Sequence, residues 1–350
     1  MIVIIPTARS IAFEYLQPLI EKGTRFIVVD DSEGSVTIDH PQFQVYNWGH
    51  QQKMLGRDAV AIPRRNGACR DFGFYVAWRE SDPGEIIVAL DDDVRVNGEF
   101  GSAVVTTLSD FARPVANGKG LHFNVLDCYR NIEDNLYPRG FPYSHRADYE
   151  KWTFGSASSG EVTFNLGLWT EIFDVNAIDK LKGPRYRYPG AQLHHQSAVV
   201  PNGALISVCS MNMQFRRELI PAAYQLPMHV EVMPGWVIDR YGDIWGGFIL
   251  KILMDLKREL MAVGAPMVRH LKEGSYERNI WQEHTAHLVN DEFVSLIRHA
   301  SREIEPADYL TMMMHMADIL ARKREKCGVL LRRYLDIQIP AMKAWTRILS

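Results

Sequence analysis

Three consecutive aspartates, Asp91, Asp92 and Asp93, are the residues of this chain whose type and spacing most clearly suggest chemistry. They directly follow the continuous apolar run 86–90, which predicts a strand that is covered on both faces. Because side chains alternate along an extended segment, Asp91 and Asp93 can point the same way. Two convergent carboxylates suit a hard divalent cation such as Mn²⁺ or Mg²⁺, which could bridge a diphosphate. The alternative is a solvated acidic turn or a helix N-cap, and the run alone leaves both interpretations open.

A second acidic pair, Asp30 and Asp31, ends the predicted strand 25–29 in the same manner. Ligands of open α/β sheets bind outside the carboxyl ends of the strands, so a carboxylate here could contact a base or a ribose. The alternative is an Asx-type turn leading into Ser32, and this alternative is favoured for the pair considered alone.

Arginines could supply the donors that an anionic diphosphate needs, because guanidinium groups match phosphate oxygens with paired hydrogen bonds. Arg139 is the most distinctive of them, since it lies between Pro138 and Pro142 with aromatic residues interleaved, which indicates a fixed position. An ordinary surface location is the alternative for the others. The candidates are Arg64, Arg65, Arg70, Arg130, Arg139 and Arg146.

Two further residues are candidates because of their position beside predicted elements. Asp243 precedes a helix that is predicted to begin near Ile244, so it is expected to be an N-cap and could also be an active-site acid. His270 follows the short apolar run 266–268. It could be a third metal ligand, although a strand-end histidine without that role is the interpretation that the residues alone favour.

Apolar patterning predicts an α/β fold, because short buried strands alternate with helical periodicity through the first half of the chain. The middle, 127–201, is rich in glycine and proline and is predicted to form long loops with short elements. The last part is predicted to be helical. Strands are predicted at 2–5, where Pro6 would end the first, and at 25–29, 43–46, 86–90 and 121–126, with helices at 12–21, 66–80, 99–112 and from about 244.

Composition narrows the class of protein. The 350 residues are 47% hydrophobic and carry a net charge of −3, which gives no reason to expect nucleic acid or an anionic membrane as the main partner. The four cysteines form no C-x-x-C pair, so a reduced, cytoplasmic compartment is expected. The N-terminus shows no signal-peptide pattern, and no apolar run of about 18 residues predicts a membrane span. The glycine-rich nucleotide motifs G-x-G-x-x-G and G-x-x-x-x-G-K-[ST] are absent.

The order and spacing of short segments resemble the reversibly glycosylated polypeptides, also called UDP-arabinopyranose mutases, of the GT-A-like glycosyltransferase group. The resemblance extends from Ile4 to about Glu283. The matching segments are Ile4-Ile5-Pro6-Thr7-x-Arg9, Ala68-Cys69-Arg70-x-Phe72-Gly73, Asp91-Asp92-Asp93, Asp127-x-Tyr129-Arg130, Arg139-Gly140-Phe141-Pro142, Gly167-Leu168-Trp169, Cys209-x-Met211-Asn212, Arg216-Arg217-Glu218-Leu219-Ile220, Arg240-Tyr241-x-Asp243-x-Trp245 and Trp281-Gln282-Glu283.

This resemblance implies a GT-A-like α/β fold with a mixed, mostly parallel sheet, a catalytic domain over 1–275 and a helical subdomain over 276–350. It implies interconversion of pyranose and furanose rings on a nucleotide sugar with Mn²⁺ or Mg²⁺ and without flavin. The reversibly glycosylated arginine falls on Arg139 and a second important arginine on Arg146, with Asp243 as the candidate acid. The metal ligands would be Asp91, Asp93 and His270, and the substrate-binding residues Thr7, Arg9, Asp31, Arg70, Asp92, Arg130, Asn212 and Trp245.

The chain departs from the family pattern at a few positions. Val94 stands where the family has a cysteine after the acidic run, Gly242 replaces the first acid of a pair, and the stretch 148–160 is longer. The base, UDP or GDP, and the sugar therefore stay open. Two other functions are alternatives: a glycosyltransferase that uses an external acceptor, and a non-catalytic subunit that binds nucleotide sugars. A homo-oligomer is possible, since the charged segment 322–326 is either a solvated helix face or a subunit contact.

Overall fold

The computed structural model describes residues 1–9, 14–32, 34–272 and 274–350. The strands in these residues are β1 (Ile2–Thr7), β2 (Arg25–Asp30), β3 (Phe43–Asn47), β4 (Ile86–Leu90), β5 (Val94–Arg95), β6 (Arg113–Asn117), β7 (His122–Phe123), β8 (Thr153–Ser158), β9 (Val162–Ile172), β10 (Arg187–Tyr188), β11 (Ser197–Val199), β12 (Leu205–Ile206), β13 (Asn212–Arg216), β14 (Val230–Met233), β15 (Trp236–Ile238) and β16 (Leu260–His270). The α-helices are α1 (Gln17–Ile20), α2 (Trp48–Leu55), α3 (Arg70–Glu80), α4 (Phe100–Thr107), α5 (Gly242–Lys257), α6 (Tyr276–Ser301), α7 (Tyr309–Lys323) and α8 (Val329–Leu349).

One large sheet organises the molecule, with the strand order β3-β2-β1-β4-β13-β9-β16-β11-β6-β8. The first four strands of this order run parallel to each other. Antiparallel pairs enter through β13, and β9 and β16 pair in parallel. The strands β1, β2 and β4 are almost wholly buried, as their continuous apolar runs require, and helices cover the sheet. The predicted fold class is confirmed: the protein is α/β, with a GT-A-like mixed and mostly parallel sheet flanked by helices.

Several predicted elements have different bounds in the structure. Pro6 does not end β1, because the strand continues to Thr7, and Pro6 pairs in register with Val29 of β2. The β1–β4 pairing stops at Ile4, so the missing N–H of the proline interrupts no ladder on that side. The predicted helix 12–21 falls partly outside the described residues and otherwise forms a 3₁₀ turn and α1.

The predicted strand 121–126 is also wrong in part, since only β7 is extended and a 3₁₀ turn, Val125–Cys128, follows it. The predicted helix 66–80 begins as a 3₁₀ turn and continues as α3. The predicted helix 99–112 is shorter in the structure, where α4 ends at Thr107 and β6 begins at Arg113.

The largest correction concerns the middle of the chain. The prediction of loops with short elements over 127–201 is wrong for β9, an eleven-residue strand buried at the centre of the sheet. Its pattern places buried residues on both faces, with Asn165 fully buried among them. Asn165 donates from Nδ2 to the carbonyl of Ala265 in β16 at 3.0 Å. The sequence does not reveal this pairing of distant segments, which supplies a hydrogen-bond partner for the buried amide.

The chain from α6 onward is helical, as predicted, and its helices pack on the rest of the protein. Trp345 of α8 stacks on Tyr224 with 5.1 Å between ring centroids, and the Trp78 indole donates to the carbonyl of Leu349 at 2.9 Å. Buried methionines of α7 join the same hydrophobic core. The division at 275/276 stays a prediction, because these helices share one core with the sheet. No helix of the described residues is long and apolar enough to cross a membrane.

Candidate active site

A cavity of about 660 Å³ opens at the carboxyl ends of β1, β2 and β4. Its other walls come from the first turns of α3, α5 and α6 and from the end of β16. This is where ligands of open α/β sheets bind. The predicted site residues that line it are Thr7, Asp31, Arg70, Asp91, Asp92, Asp93, Arg139, Asp243 and His270.

Asp91 and Asp92 have different partners, although they are adjacent in the sequence. Arg70, which is buried, donates from Nη2 to Asp91 and from Nη1 to the carbonyl of Leu90 at 2.9 Å. Asp92 accepts from Thr7 Oγ1 at 2.8 Å and forms an ion pair with Arg9. Asp92 therefore fixes the segment after β1, whereas Asp91 stays beside the arginine at the base of the cavity.

Asp93 and His270 approach each other because β16 pairs with β5, with His270 opposite Val94. Oδ1 of Asp93 is buried and has no hydrogen-bond partner among the described residues. Burial and the neighbouring Asp91 raise the pKa of Asp93 to about 6, although His270 lowers it. Nδ1 of His270 lies 2.7 Å from the carbonyl oxygen of Ile172, which can only accept, so Nδ1 donates this hydrogen bond and the neutral form of the ring has its lone pair on Nε2.

The donor set of this corner fits a divalent cation. An unpartnered carboxylate oxygen on Asp93, the Asp91 carboxylate and the Nε2 lone pair of His270 are the O and N donors that Mn²⁺ accepts. In the part of the chain that the structure describes, no group of three or more His, Cys, Asp or Glu side chains is already arranged to hold a metal ion. The ligands would therefore have to draw together around a cation.

Arg139 is buried and held between two carboxylates. Its Nε donates to Oδ1 and Oδ2 of Asp174 at 3.1 and 2.9 Å, and its Nη1 and Nη2 donate to Oδ1 and Oδ2 of Asp243 at 3.1 and 2.8 Å. Nη1 also donates to the carbonyl of Arg240. Burial alone would lower the pKa of Arg139, but Asp174 and Asp243 together raise it well above its ordinary value. These bonds leave one N–H of Nη2 for another acceptor.

Asp243 occupies the first turn of α5 and is not its N-cap, which is Tyr241. The expectation of an N-cap is therefore wrong. Oδ2 of Asp243 faces Arg139 and accepts from the amide of Ser210 at 3.2 Å. A carboxylate at a helix N-terminus is favoured by the helix dipole, so the ion pair with Arg139 forms where the helix already stabilises negative charge.

The two acids after β2 have different environments. Asp30 is buried and accepts from the amide of Ser32 at 2.8 Å, which is the Asx-type turn that the sequence favours. Asp31 lines the cavity and accepts from the amides of Arg65 and Asn66 at 2.8 and 3.2 Å. Burial raises the pKa of Asp31 although these bonds oppose the shift.

Five predicted site residues lie outside the cavity lining, and one of them, Arg9, pairs with Asp92 of that lining. Arg130 is exposed and binds Gln192. Asn212 is fully buried in the sheet and donates to the carbonyls of Leu168 and Pro266. Trp245 is buried and donates to Asn290 of α6 at 2.9 Å. Arg130, Asn212 and Trp245 thus contact residues that do not line the cavity.

Arg146, the fifth, stacks on the rings of Tyr137 and Tyr143 at 4.5 and 3.9 Å and pairs with Asp179 at 2.9 Å. It stiffens the loop that carries Arg139, since Tyr137 and Tyr143 flank that residue in sequence.

Residues that the sequence interpretation missed complete the site. Asp174 lies two residues beyond the end of β9, close to the place that Asp91 has after β4, so recognition of β9 would have pointed to it. Lys272 and Arg278 line the rim beside His270, are exposed, and have no ion-pair partner in the described ranges. Glu283, which is buried, accepts from Arg240 at 2.9 Å and so connects α6 to the Arg139 cluster.

The sheet is GT-A-like, and paired carboxylates and arginines surround one open cavity at the ends of its strands. This is the architecture of proteins that bind nucleotide sugars. The sequence model of the family described as reversibly glycosylated polypeptide matches residues 1–350, so the chain belongs to that family. It is 25% identical to UDP-arabinopyranose mutase 1 of Arabidopsis thaliana over 99% of this chain and 92% of the relative. It is 27% identical to UDP-arabinopyranose mutase 3 of the same plant, over 93% of this chain and 84% of that relative. It is 24% identical to UDP-arabinopyranose mutase 1 of Oryza sativa subsp. japonica, over 99% of this chain and 90% of that relative.

Proposed function

We propose that this protein is a mutase that interconverts the pyranose and furanose forms of a UDP- or GDP-linked sugar, with Mn²⁺ or Mg²⁺ and without flavin. The observation that carries the proposal is Arg139 held between Asp174 and Asp243 in the same cavity as the acidic run. The names of the Arabidopsis and rice relatives support it, because they match this chain over almost its whole length.

Substrate binding follows from the charges of the cavity. Asp91, Asp93 and His270 would hold the cation, which when bound offsets the negative charge of the departing diphosphate. Lys272 and Arg278 at the rim supply donors to the phosphate oxygens. Asp31, beneath the same opening, is placed to accept hydrogen bonds from a ribose or a base. The sugar is thereby directed toward Arg139.

In the covalent route, the bond between the anomeric carbon and the diphosphate oxygen breaks, and its electron pair leaves with the diphosphate. Nη2 of Arg139 forms a bond to the anomeric carbon and gives a proton to Asp243, whose Oδ2 lies 2.8 Å away. While the sugar is held, the lone pair of Nη2 forms a double bond to the anomeric carbon, the bond from that carbon to the ring oxygen breaks, and the ring oxygen takes up a proton as a hydroxyl. Another hydroxyl then attacks the anomeric carbon, loses its proton and closes the new ring, and the electron pair returns to Nη2. The diphosphate then attacks the anomeric carbon, and Nη2 leaves and recovers its proton.

The raised pKa of Arg139 opposes this route, because a protonated guanidinium is a poor nucleophile. In the alternative route Arg139 only binds the diphosphate or the sugar through its remaining N–H. Intact-protein mass spectrometry after incubation with the nucleotide sugar separates the two routes. Full turnover without a sugar adduct on the wild type would reject the covalent one.

The function itself is tested by incubating the full chain with UDP-arabinopyranose and Mn²⁺ in the absence of any acceptor. The expected result is an isomeric nucleotide sugar with the furanose ring, resolved by chromatography. A thermal-shift series with UDP, GDP, dTDP and CDP identifies the base. Product that appears only with an added acceptor would indicate a glycosyltransferase, and nucleotide binding with no isomer at high protein concentration would indicate a non-catalytic subunit.

A further inference from the structure

A second cavity, which shares no lining residue with the site described above, has at its base a histidine whose ring nitrogens lack a hydrogen-bond partner among the described residues. His122 of β7 is 3% exposed, and neither ring nitrogen has a hydrogen-bond partner among the described residues. Its ring lies among Phe141, Phe248 and His145, with centroid distances of 6.0, 5.6 and 5.0 Å. A buried polar group without a partner is costly, so its persistence calls for a bound ion or molecule.

The cavity above His122 has a volume of about 120 Å³ and is walled by one face of α6. Asp291, Ser295 and Arg298 are spaced at four and then three residues, which places them on the same side of the helix. Arg302, just beyond the helix, and His145, from the turn Tyr143–His145, close the other sides. A site of this size accommodates a small ion and excludes a nucleotide sugar.

The charges of the lining favour an anion. Arg298 and Arg302 are exposed and have no ion-pair partner in the residues that the structure describes, so both guanidinium groups are available. Asp291 is the one carboxylate among the described residues of the lining, and it accepts from Ser144 Oγ at 2.6 Å and from Asn290 Nδ2 at 3.5 Å. Two guanidinium groups disfavour a metal cation, whereas they match phosphate oxygens.

We propose that this cavity is a binding site for a phosphate-type dianion, either inorganic phosphate or the terminal phosphate of a small phosphate ester. Arg298 and Arg302 provide the charge, and a ring N–H of His122 donates from below. Burial, with His145 and Arg298, lowers the pKa of His122 to about 3, so the ring is neutral and has one N–H to donate. The site does not depend on the mutase function proposed above.

The position of this site places its ligand on two segments that also build the main cavity. Helix α6 carries Asn279 and Gln282 on the wall of the main cavity, and their separation from Arg298 along the helix corresponds to about 25 Å at 1.5 Å per residue. His145 lies in the loop that follows Arg139. A bound anion would therefore brace α6 against this loop.

Isothermal titration calorimetry of the full chain with inorganic phosphate, at constant ionic strength, measures the affinity for phosphate and so tests the proposal. Arg298→Gln and His122→Phe are each expected to weaken phosphate binding by about tenfold or more, because each removes a donor to the anion. Arg57→Gln is the matched control, since Arg57 is an exposed arginine remote from this lining and has no ion pair in the described residues. It should bind phosphate as the wild type does.

Thermal unfolding without phosphate separates a binding role from a structural one. His122→Phe keeps the aromatic contacts and removes two unpartnered nitrogens, so it should melt at the same or a higher temperature than the wild type. Titration with AMP and with glucose 1-phosphate identifies whether the natural ligand is a phosphate ester or free phosphate. An ester that binds more tightly than inorganic phosphate indicates an ester, and esters that bind more weakly indicate the free ion. Binding that persists undiminished in both variants, or no binding to the wild type at millimolar phosphate, would overturn the proposal.

Discussion

Arg139 and Asp243 form a two-point ion pair across 104 positions of sequence, with Nη1 and Nη2 at 3.1 and 2.8 Å from the two carboxylate oxygens. Both side chains are almost completely shielded from water, with 9% and 11% of their surface exposed. A pair of this kind has its geometry fixed before any ligand arrives. It orients the remaining N–H of Arg139 and keeps a proton acceptor in contact with the guanidinium.

The substitution Asp243→Asn is expected to lower the rate of the mutase reaction by about 100-fold or more, because it removes the nearest acceptor for a proton of Arg139. The free energy of unfolding should fall by about 2 kcal/mol, since Arg139 keeps Asp174 but loses one charged partner. Initial rates and urea unfolding measure the two effects. Asp318→Asn, which affects only the exposed pair with Lys343, is the control. Unchanged turnover in Asp243→Asn would remove Asp243 from the mechanism.

Adjacent aspartates of the acidic run should respond differently to the same change. Asp93→Asn is expected to weaken Mn²⁺ binding by at least about tenfold, because its unpartnered carboxylate oxygen is a candidate ligand. Asp92→Asn is the matched control, since that side chain already binds Thr7 and Arg9. Titration of Mn²⁺ followed by electron paramagnetic resonance measures both affinities. Equal losses in the two variants would contradict the division of roles.

How far the sequence predicts this site depends on whether the contact is local. The run 86–90 and the acids after it identify both a buried strand and the edge of the sheet at which a ligand binds, because both follow from residues that are adjacent in sequence. For Asp30 and Asp31 the same grounds favoured an Asx-type turn, which Asp30 forms, and only the family resemblance pointed to Asp31 as a binding residue. The alternation of short apolar runs with helical periodicity was also sufficient to place the fold in the α/β class.

The rest depends on pairings between distant segments. Asp174 could not be recognised while β9 was predicted to be loop, and the contact of His270 with the acidic run depends on the β16–β5 register. Trp245 and Asn212 belong to the matching family segments, yet their side chains lie in the core. Motif order alone does not separate a residue that packs from one that faces the cavity, because both are constrained by the same fold.

Asp127 should make stability depend on pH. Burial raises its pKa from 3.8 to about 6, although hydrogen bonds from Tyr149 and the amide of Trp152 oppose the shift. The fold thus favours the neutral carboxyl, and this contribution is complete below about pH 4 and is lost as the pH rises through about 6. The free energy of unfolding of the wild type, relative to Asp127→Asn, should fall by up to about 3 kcal/mol between those limits. A difference that stays constant with pH, in urea unfolding, would contradict the shifted pKa.

Gly140 sets the distance between the Arg139 loop and α5. It has φ of +86°, and a Cβ at this position would lie 2.6 Å from Cγ2 of Ile244, the residue after Asp243. Gly203 has φ of +85° with nothing within 4 Å of the corresponding Cβ, which makes it a matched control for the backbone effect. Both alanine substitutions should cost about 1 kcal/mol through the left-handed backbone conformation.

Gly140→Ala should cost about 1–3 kcal/mol more than Gly203→Ala, because its methyl group must displace Ile244 or the loop. Either movement separates Arg139 from Asp243, so Gly140→Ala should also lose mutase activity whereas Gly203→Ala keeps it. Urea unfolding and initial rates on the same preparations measure the two effects together. Equal losses of stability with full activity in both variants would show that the contact between Gly140 and α5 does not position the loop. The position of Arg139 would then be fixed by Asp174 and the Arg240 carbonyl alone.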